Sequence, residues 1–300
     1  DLDDFESTTE KMDVSTPINW VLSSVPSMFP ESKDRTGLTS GFNRSQMAWY
    51  TIDPLFTRRS SSLTPAHIKS DLDQLSDPYV REIYVSDLYP QRDRNSYSGA
   101  TSTLPILHLA YYPGERGPYN FNPDLLPDGR LANPRQHWGG MMRKLDTNDF
   151  EAANIEYIEF WMLDPFIKSN ELPNASEHGG DFYINLGEVA EDILRDGKKF
   201  YESGMPVDGS DNFIYSQWGK IPVQSTVTYA FATTPGSRKL QDVGYNGLND
   251  TEEQQFEPYQ DFLKQIKGKV NAAVWDSIWA DPANDNYHYF RGSDLDHIEA

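Results

Sequence analysis

The sequence predicts a mainly β protein with helices: an antiparallel β-sandwich core over residues 1–235, and a helical and loop tail over residues 236–300 packed on it. Three observations lead there. Residues 154–166, Asn-Ile-Glu-Tyr-Ile-Glu-Phe-Trp-Met-Leu-Asp-Pro-Phe, supply Ile155, Tyr157, Ile158, Phe160, Trp161, Met162 and Leu163 as side chains suited to a buried strand, and Pro165 ends the ladder by removing a donor. After the Gly179-Gly180 breaker, residues 181–186 (Asp-Phe-Tyr-Ile-Asn-Leu) repeat the pattern. From Thr251 onward the period changes to that of helices, with Phe262, Leu263, Ile266, Val270, Val274, Trp275, Ile278 and Trp279 in register and Gly268 as the break between two helices.

Along the chain, residues 1–44 are polar and turn-rich around a short apolar anchor at 18–22. Residues 47–56 read as a strand stopped by Asp53-Pro54. Thr64 with Pro65 suggests a cap and first helical residue for a short helix through Asp73. Residues 79–88 and 103–112 read as extended, with a polar loop between them. Residues 112–122 hold four Gly or Pro residues and read as a shaped loop packed by its own aromatics. A short strand starts within 137–143, and the imperfect alternation of 154–166 expects cover on both faces, with Trp161 in the core. Residues 189–201 carry Val189, Ile193, Leu194 and Phe200, with Lys198 and Lys199 placed late, as at a helix C-terminus. Residues 221–233 are β-like. The chain opens at Asp1 without Met or a signal peptide, and reads as a segment of a larger protein.

Composition excludes several classes. With 46 acidic against 26 basic residues the net charge is -20, which repels nucleic-acid phosphates and anionic headgroups. No nucleic-acid partner is expected. The absence of cysteine removes disulfides, thiolate metal sites and cysteine nucleophiles together. The six histidines show no metal-binding helical pair, and there is no nucleophile-elbow or phosphate-binding glycine motif. No catalytic residue is singled out.

One ligand pattern stands out. Residues 242–253 follow the spacing of a calcium loop: Asp242 at its first position, Asn246 at the fifth, the Leu248 carbonyl at the seventh, Asp250 at the ninth and Glu253 at the twelfth. The third position is Gly244, which offers no side-chain oxygen. An Asn-Gly turn leading into an acidic helix N-terminus capped by Asn249 or Thr251 accounts for the same residues without a cation. Apart from calcium no cofactor is expected. Asp3, Asp4 and Glu6 fit either a second cation site or a solvated acidic strand end.

Several phrases, in order along the chain, are longer than chance supplies: Ala-Trp-Tyr-Thr-Ile-Asp-Pro-Leu-Phe-Thr-Arg at 48–58, Tyr-Val-Arg-Glu-Ile at 79–83, Glu-Arg-Gly-Pro-Tyr-Asn-Phe at 115–121, Trp-Gly-Gly-Met-Met-Arg at 138–143, the 154–166 run, residues 186–200 and Gln-Asp-Val-Gly at 241–244. Together they resemble the SprA/Sov family of gliding-motility and secretion proteins of Bacteroidetes. The resemblance implies a non-catalytic insert in the large outer-membrane β-barrel of the type IX secretion system, on the extracellular side. It implies as partners the remainder of the barrel, a PorV-type shuttle protein, a periplasmic plug protein and secreted cargo with a C-terminal signal. The Asp-Asp-Phe-Glu opening and the Glu-Phe-Trp strand also resemble galactose-binding-like modules, which points the sandwich toward a jelly roll. Rigid turns and aromatic density make Tyr112, Arg116, Tyr119, Phe121, Trp138 and Arg143 the expected partner contacts. The rival reading is a surface carbohydrate-binding module with an aromatic-lined face; a two-carboxylate glycoside hydrolase stands third.

Overall fold

The computed structural model describes residues 14–34, 37–90, 102–145, 149–152, 155–165, 180–207, 212–224 and 231–286. Asp3, Asp4, Glu6, His178, His288, His297 and part of the 221–233 strand lie outside them. The chain divides into two compact units: unit 1 of Asp1–Trp20, Trp49–Leu109 and Arg143–Ile184, and unit 2 of Val21–Ala48, Ala110–Met142 and Asn185–Ala300. Residues 236–286 share a unit with 110–142. Among the described residues the architecture is mixed, with small two-stranded sheets and short helices. No sandwich of facing sheets forms there. No described helix is long and apolar enough to cross a membrane.

Unit 1 carries three short helices, α1 (Ala66–Ser70), α2 (Leu72–Ser76) and α3 (Val85–Leu88). The Asp71 side chain accepts from Gln74 N at 2.9 Å, so it caps α2 and breaks the single helix expected through Asp73. Thr64 does not cap α1. Its hydroxyl bonds the carbonyls of Leu55 (2.6 Å) and Arg58 (2.9 Å), tying the helix entrance to the preceding turn, and Pro65 takes the cap position. Residues 85–88 are helical where extended chain was expected, because the Asp87 carboxylate accepts the Tyr84 amide at 3.1 Å and closes the first turn.

The largest difference concerns residues 155–165 and 181–184. They form neither helix nor strand, and their apolar side chains are outside: Tyr157 is 78% exposed and Trp161 68%. Trp161 is therefore not core. It touches the unit through its indole N–H, which donates to the Tyr89 hydroxyl at 3.0 Å, and through an edge-on ring contact with Tyr89. β-propensity reports a preference for a pleated, half-covered environment, and the described residues supply no neighbouring strand.

In unit 2, β1 (Val21–Leu22), in the short apolar anchor, pairs antiparallel with β4 (Met141–Met142), the short strand expected within 137–143. The pair β2 (Ser45–Tyr50) and β3 (His108–Arg116), whose residues up to Ala48 and from Ala110 belong to unit 2, extends the backbone ladder through Pro113 and Gly114, into what read as loop. β5 (Phe213–Tyr215) and β6 (Lys220–Pro222) form a hairpin. Residues 189–201 hold no helix: Arg195 and Gly197 adopt left-handed conformations, while the Asp192 carboxylate collects the amides of Asp196 (3.4 Å) and Gly197 (2.7 Å). Ile193, Leu194 and Phe200 are nevertheless buried.

The helical part of unit 2 follows the predicted period. After the single-turn α4 (Arg238–Gln241) come α5 (Asp250–Gln255), α6 (Glu257–Ile266) and α7 (Ala272–Ala280), with Gly268 left-handed between the last two. Asn249 caps α5 in a reciprocal box with Glu252, each bond 3.0 Å. The inner face of α6, Tyr259, Phe262, Leu263 and Ile266, packs on Phe121, whose ring stacks on Tyr259 at 4.1 Å and meets Phe262 edge-on at 5.6 Å.

Candidate functional site

The 115–121 phrase builds the site. Tyr119 sits in a left-handed turn (φ 58°), held by its amide to Ala283 O at 2.7 Å. That turn drives Tyr119 and Phe121 inward, each 1% exposed. Their side chains are core, which removes them from the expected contact surface. The Tyr119 hydroxyl accepts the Tyr245 amide at 2.6 Å and lies, with Asp285 Oδ2, where a Cβ on Gly244 would be. Close approach and a φ of +56° thus explain the glycine at the third position of the calcium-like loop.

Arg116 is half-buried. Its guanidinium donates to the carbonyls of Asn120 (3.0 Å), Pro282 (2.6 Å) and Asp281 (3.4 Å), and lies 5.4 Å from the Phe262 ring centroid. Burial lowers its pKa to about 10, against the opposing pull of Asp281, Glu253 and Asp285. It lines one side of a cleft of about 290 Å³ together with Asp128, Ser277, Asp281 and Asn284. Tyr112 is exposed, whereas Trp138 is half-buried and donates to Glu31 Oε1 at 2.8 Å. In unit 1, the Arg143 guanidinium lies 5.7 Å from the Trp20 ring centroid.

Of the five calcium-loop residues, Asp242 is not in the group of acidic side chains that Asp250 and Glu253 join. Asp242 faces Arg238 at 3.5 Å, and the Asn246 Oδ1 is taken by the Leu248 amide at 2.8 Å. In that group Asp250, Glu253 and Asp281 each offer an oxygen within 4.8 Å of the others. Glu253 is fully buried, its Oε1 accepting from Asn246 Nδ2 at 2.5 Å and its Oε2 from Ala283 N at 3.0 Å. Burial pushes its pKa up to about 7; the two N–H donors oppose this, and Asp281 and Asp250 reinforce it. Asp285 Oδ2 is buried close to the Tyr119 hydroxyl, and burial together with Glu253, Asp281 and Glu202 raises that carboxyl well above the usual range, against the pull of Tyr119. Several carboxylates thus crowd one guanidinium, so part of the cluster holds protons near neutrality. Asp281 and Asp285 escaped the sequence reading because α6 and α7 separate them from Glu253; the only local signal was an acidic turn around Pro282.

These features define a mixed α and β chain with a carboxylate cluster around the buried Glu253 and, in unit 1, a set of exposed apolar side chains. The family described as motility related/secretion protein, SprA_N, matches residues 261–300, which span the second half of α6, all of α7 and the Asp281–Asp285 turn. Through these residues the chain is related to the SprA/Sov family. No curated protein shows a significant match to it.

Proposed function

We propose that the chain is a non-catalytic element of the type IX secretion translocon at the outer membrane, standing at the extracellular side of the barrel and helping to shape or cap the export conduit. One observation carries the reading: within residues 157–163, Tyr157, Ile158, Phe160, Trp161, Met162 and Leu163 present large apolar side chains to solvent, a patch of the kind that proteins bury against a partner. The SprA_N match supports the secretory context. The remainder of the barrel, a PorV-type shuttle, the periplasmic plug and C-terminally signalled cargo are the partners this role calls for. Tyr112, Trp138 and Arg143 remain as additional contact candidates. The -20 charge suits a passage that must not hold acidic cargo. The test is an in-frame removal of residues 1–300 from the gene that encodes them, followed by assay of cargo release in cells whose barrel still reaches the outer membrane. Lost or leaky export supports the reading; normal export with an intact barrier overturns it.

The exposure of Tyr157 and Trp161 also favours a second reading, a surface carbohydrate-binding module, since flat aromatic faces in solvent are what sugars stack on. A selective signal on a glycan array, lost on Trp161→Ala, distinguishes it.

A further inference from the structure

Residues 156–163 combine three properties that seldom occur together. Their side chains are strand formers, Tyr157, Ile158, Phe160 and Trp161 among them, and lie in solvent. None of their backbone amides or carbonyls has a hydrogen-bond partner among the described residues. The segment is nonetheless tethered to unit 1: the Ile155 amide bonds Phe150 O at 2.9 Å, the Tyr79 hydroxyl bonds Asp164 O at 3.0 Å, and the Trp161 indole bonds Tyr89. Phe160 also rests 5.7 Å from Phe182, which holds a second exposed apolar stretch beside the first. A positioned backbone with free donors and acceptors, flanked by apolar side chains, is the receiving half of a strand-addition site.

Charge decides what it receives. Residues 155–165 carry Glu156, Glu159 and Asp164, residues 180–184 carry Asp181, and neither stretch holds a Lys or Arg. A second copy of the same segment would set carboxylates opposite carboxylates, which cross-strand pairing disfavours. We infer that residues 156–163 dock an extended strand of another polypeptide, one that alternates apolar residues with Lys or Arg. This deepens the proposed function and rests on it for the assignment of the partner to the secretion machinery.

Amide hydrogen exchange on the full chain tests it, with three ten-residue peptides as probes: alternating Val and Lys, alternating Val and Glu, and a Lys-bearing peptide with Pro in place of Val. The Val/Lys peptide is expected to slow exchange of the 156–163 amides by about ten-fold or more, leaving the α6 amides unchanged. The Pro peptide keeps the charge but loses the amide donor at every second residue and its apolar strand formers, and should give little protection. Ile158→Asp should abolish protection without altering α6, and the Glu156→Gln/Glu159→Gln pair should weaken it. Equal protection by the Val/Glu or Pro peptide, no protection by any, or concentration-dependent protection of the chain alone would overturn the inference. Blocked export without such protection removes the strand site but keeps the translocon role; protection with normal export does the reverse.

Discussion

At the scale of single residues, unit 2 depends on a cation that pairs with no carboxylate among the described residues. Arg44 is 1% exposed, and its guanidinium donates to the carbonyls of Ser23 (3.2 Å), Pro118 (3.4 Å) and Ile193 (3.4 Å), three segments far apart in sequence. Burial lowers its pKa to about 10, which still leaves it charged at neutral pH. Asn120 completes the junction by donating to Phe42 O (3.0 Å) and Arg44 O (2.6 Å). Arg44→Ala strands three carbonyls and opens a void beside Trp138, so it should cost roughly 3 kcal/mol or more in urea unfolding. Arg44→Met should cost less, since it refills the volume and relieves the desolvated charge. Equal losses for the two variants would show that volume plays no part.

At the scale of elements, local rules worked where the partner of a side chain is near in sequence. The Asn249 cap was legible because its acceptor role is completed three residues away, at Glu252. Asn249→Ala should therefore cost about 1 kcal/mol of stability, read as a fall in melting temperature, while Asn249→Asp should hold it. The α6 and α7 period and the Gly268 break were equally legible, since each depends on a run of apolar residues around one axis. Residues 189–201 show the limit: their spacing correctly marks Ile193, Leu194 and Phe200 as buried, but the Asp192 carboxylate and the left-handed Arg195 build a loop. Residues 155–163 show it more strongly, because strand propensity does not say whether a neighbouring strand exists. The carboxylate cluster was half legible. Asp250 and Glu253 stood in a recognisable pattern, whereas Asp281 and Asp285 arrive only through the packing of α6 and α7.

At the scale of the whole molecule, the acidic excess and the buried cluster push stability in one direction with pH. Glu253 and Glu202 both have carboxyls raised to about 7, burial being the leading cause in each. Their unfolded-state values are those of ordinary glutamates, so between about 4.5 and 7 the folded chain binds more protons than the unfolded one. Stability is then fullest below the unfolded value and is lost as pH rises through the folded one. For Glu253 alone a shift of that size corresponds to about 3 kcal/mol. Asp285 and Asp250, also raised, act in the same sense. Self-repulsion at -20 adds a further loss at higher pH, but salt screens it, whereas the buried groups are screened much less. Thermal melts at pH 5.5 and pH 8 should therefore show the chain more stable at the lower pH by several degrees, with most of the difference surviving in about 0.5 M salt. Glu253→Gln supplies the discriminating control: it keeps the shape and an acceptor but cannot ionise, so the slope between the two pH values should flatten. A slope unchanged in Glu253→Gln, or erased by salt alone, would transfer the effect from the cluster to the surface. A surface origin would leave Arg116 as a structural guanidinium among carboxylates that stay ionised across the range.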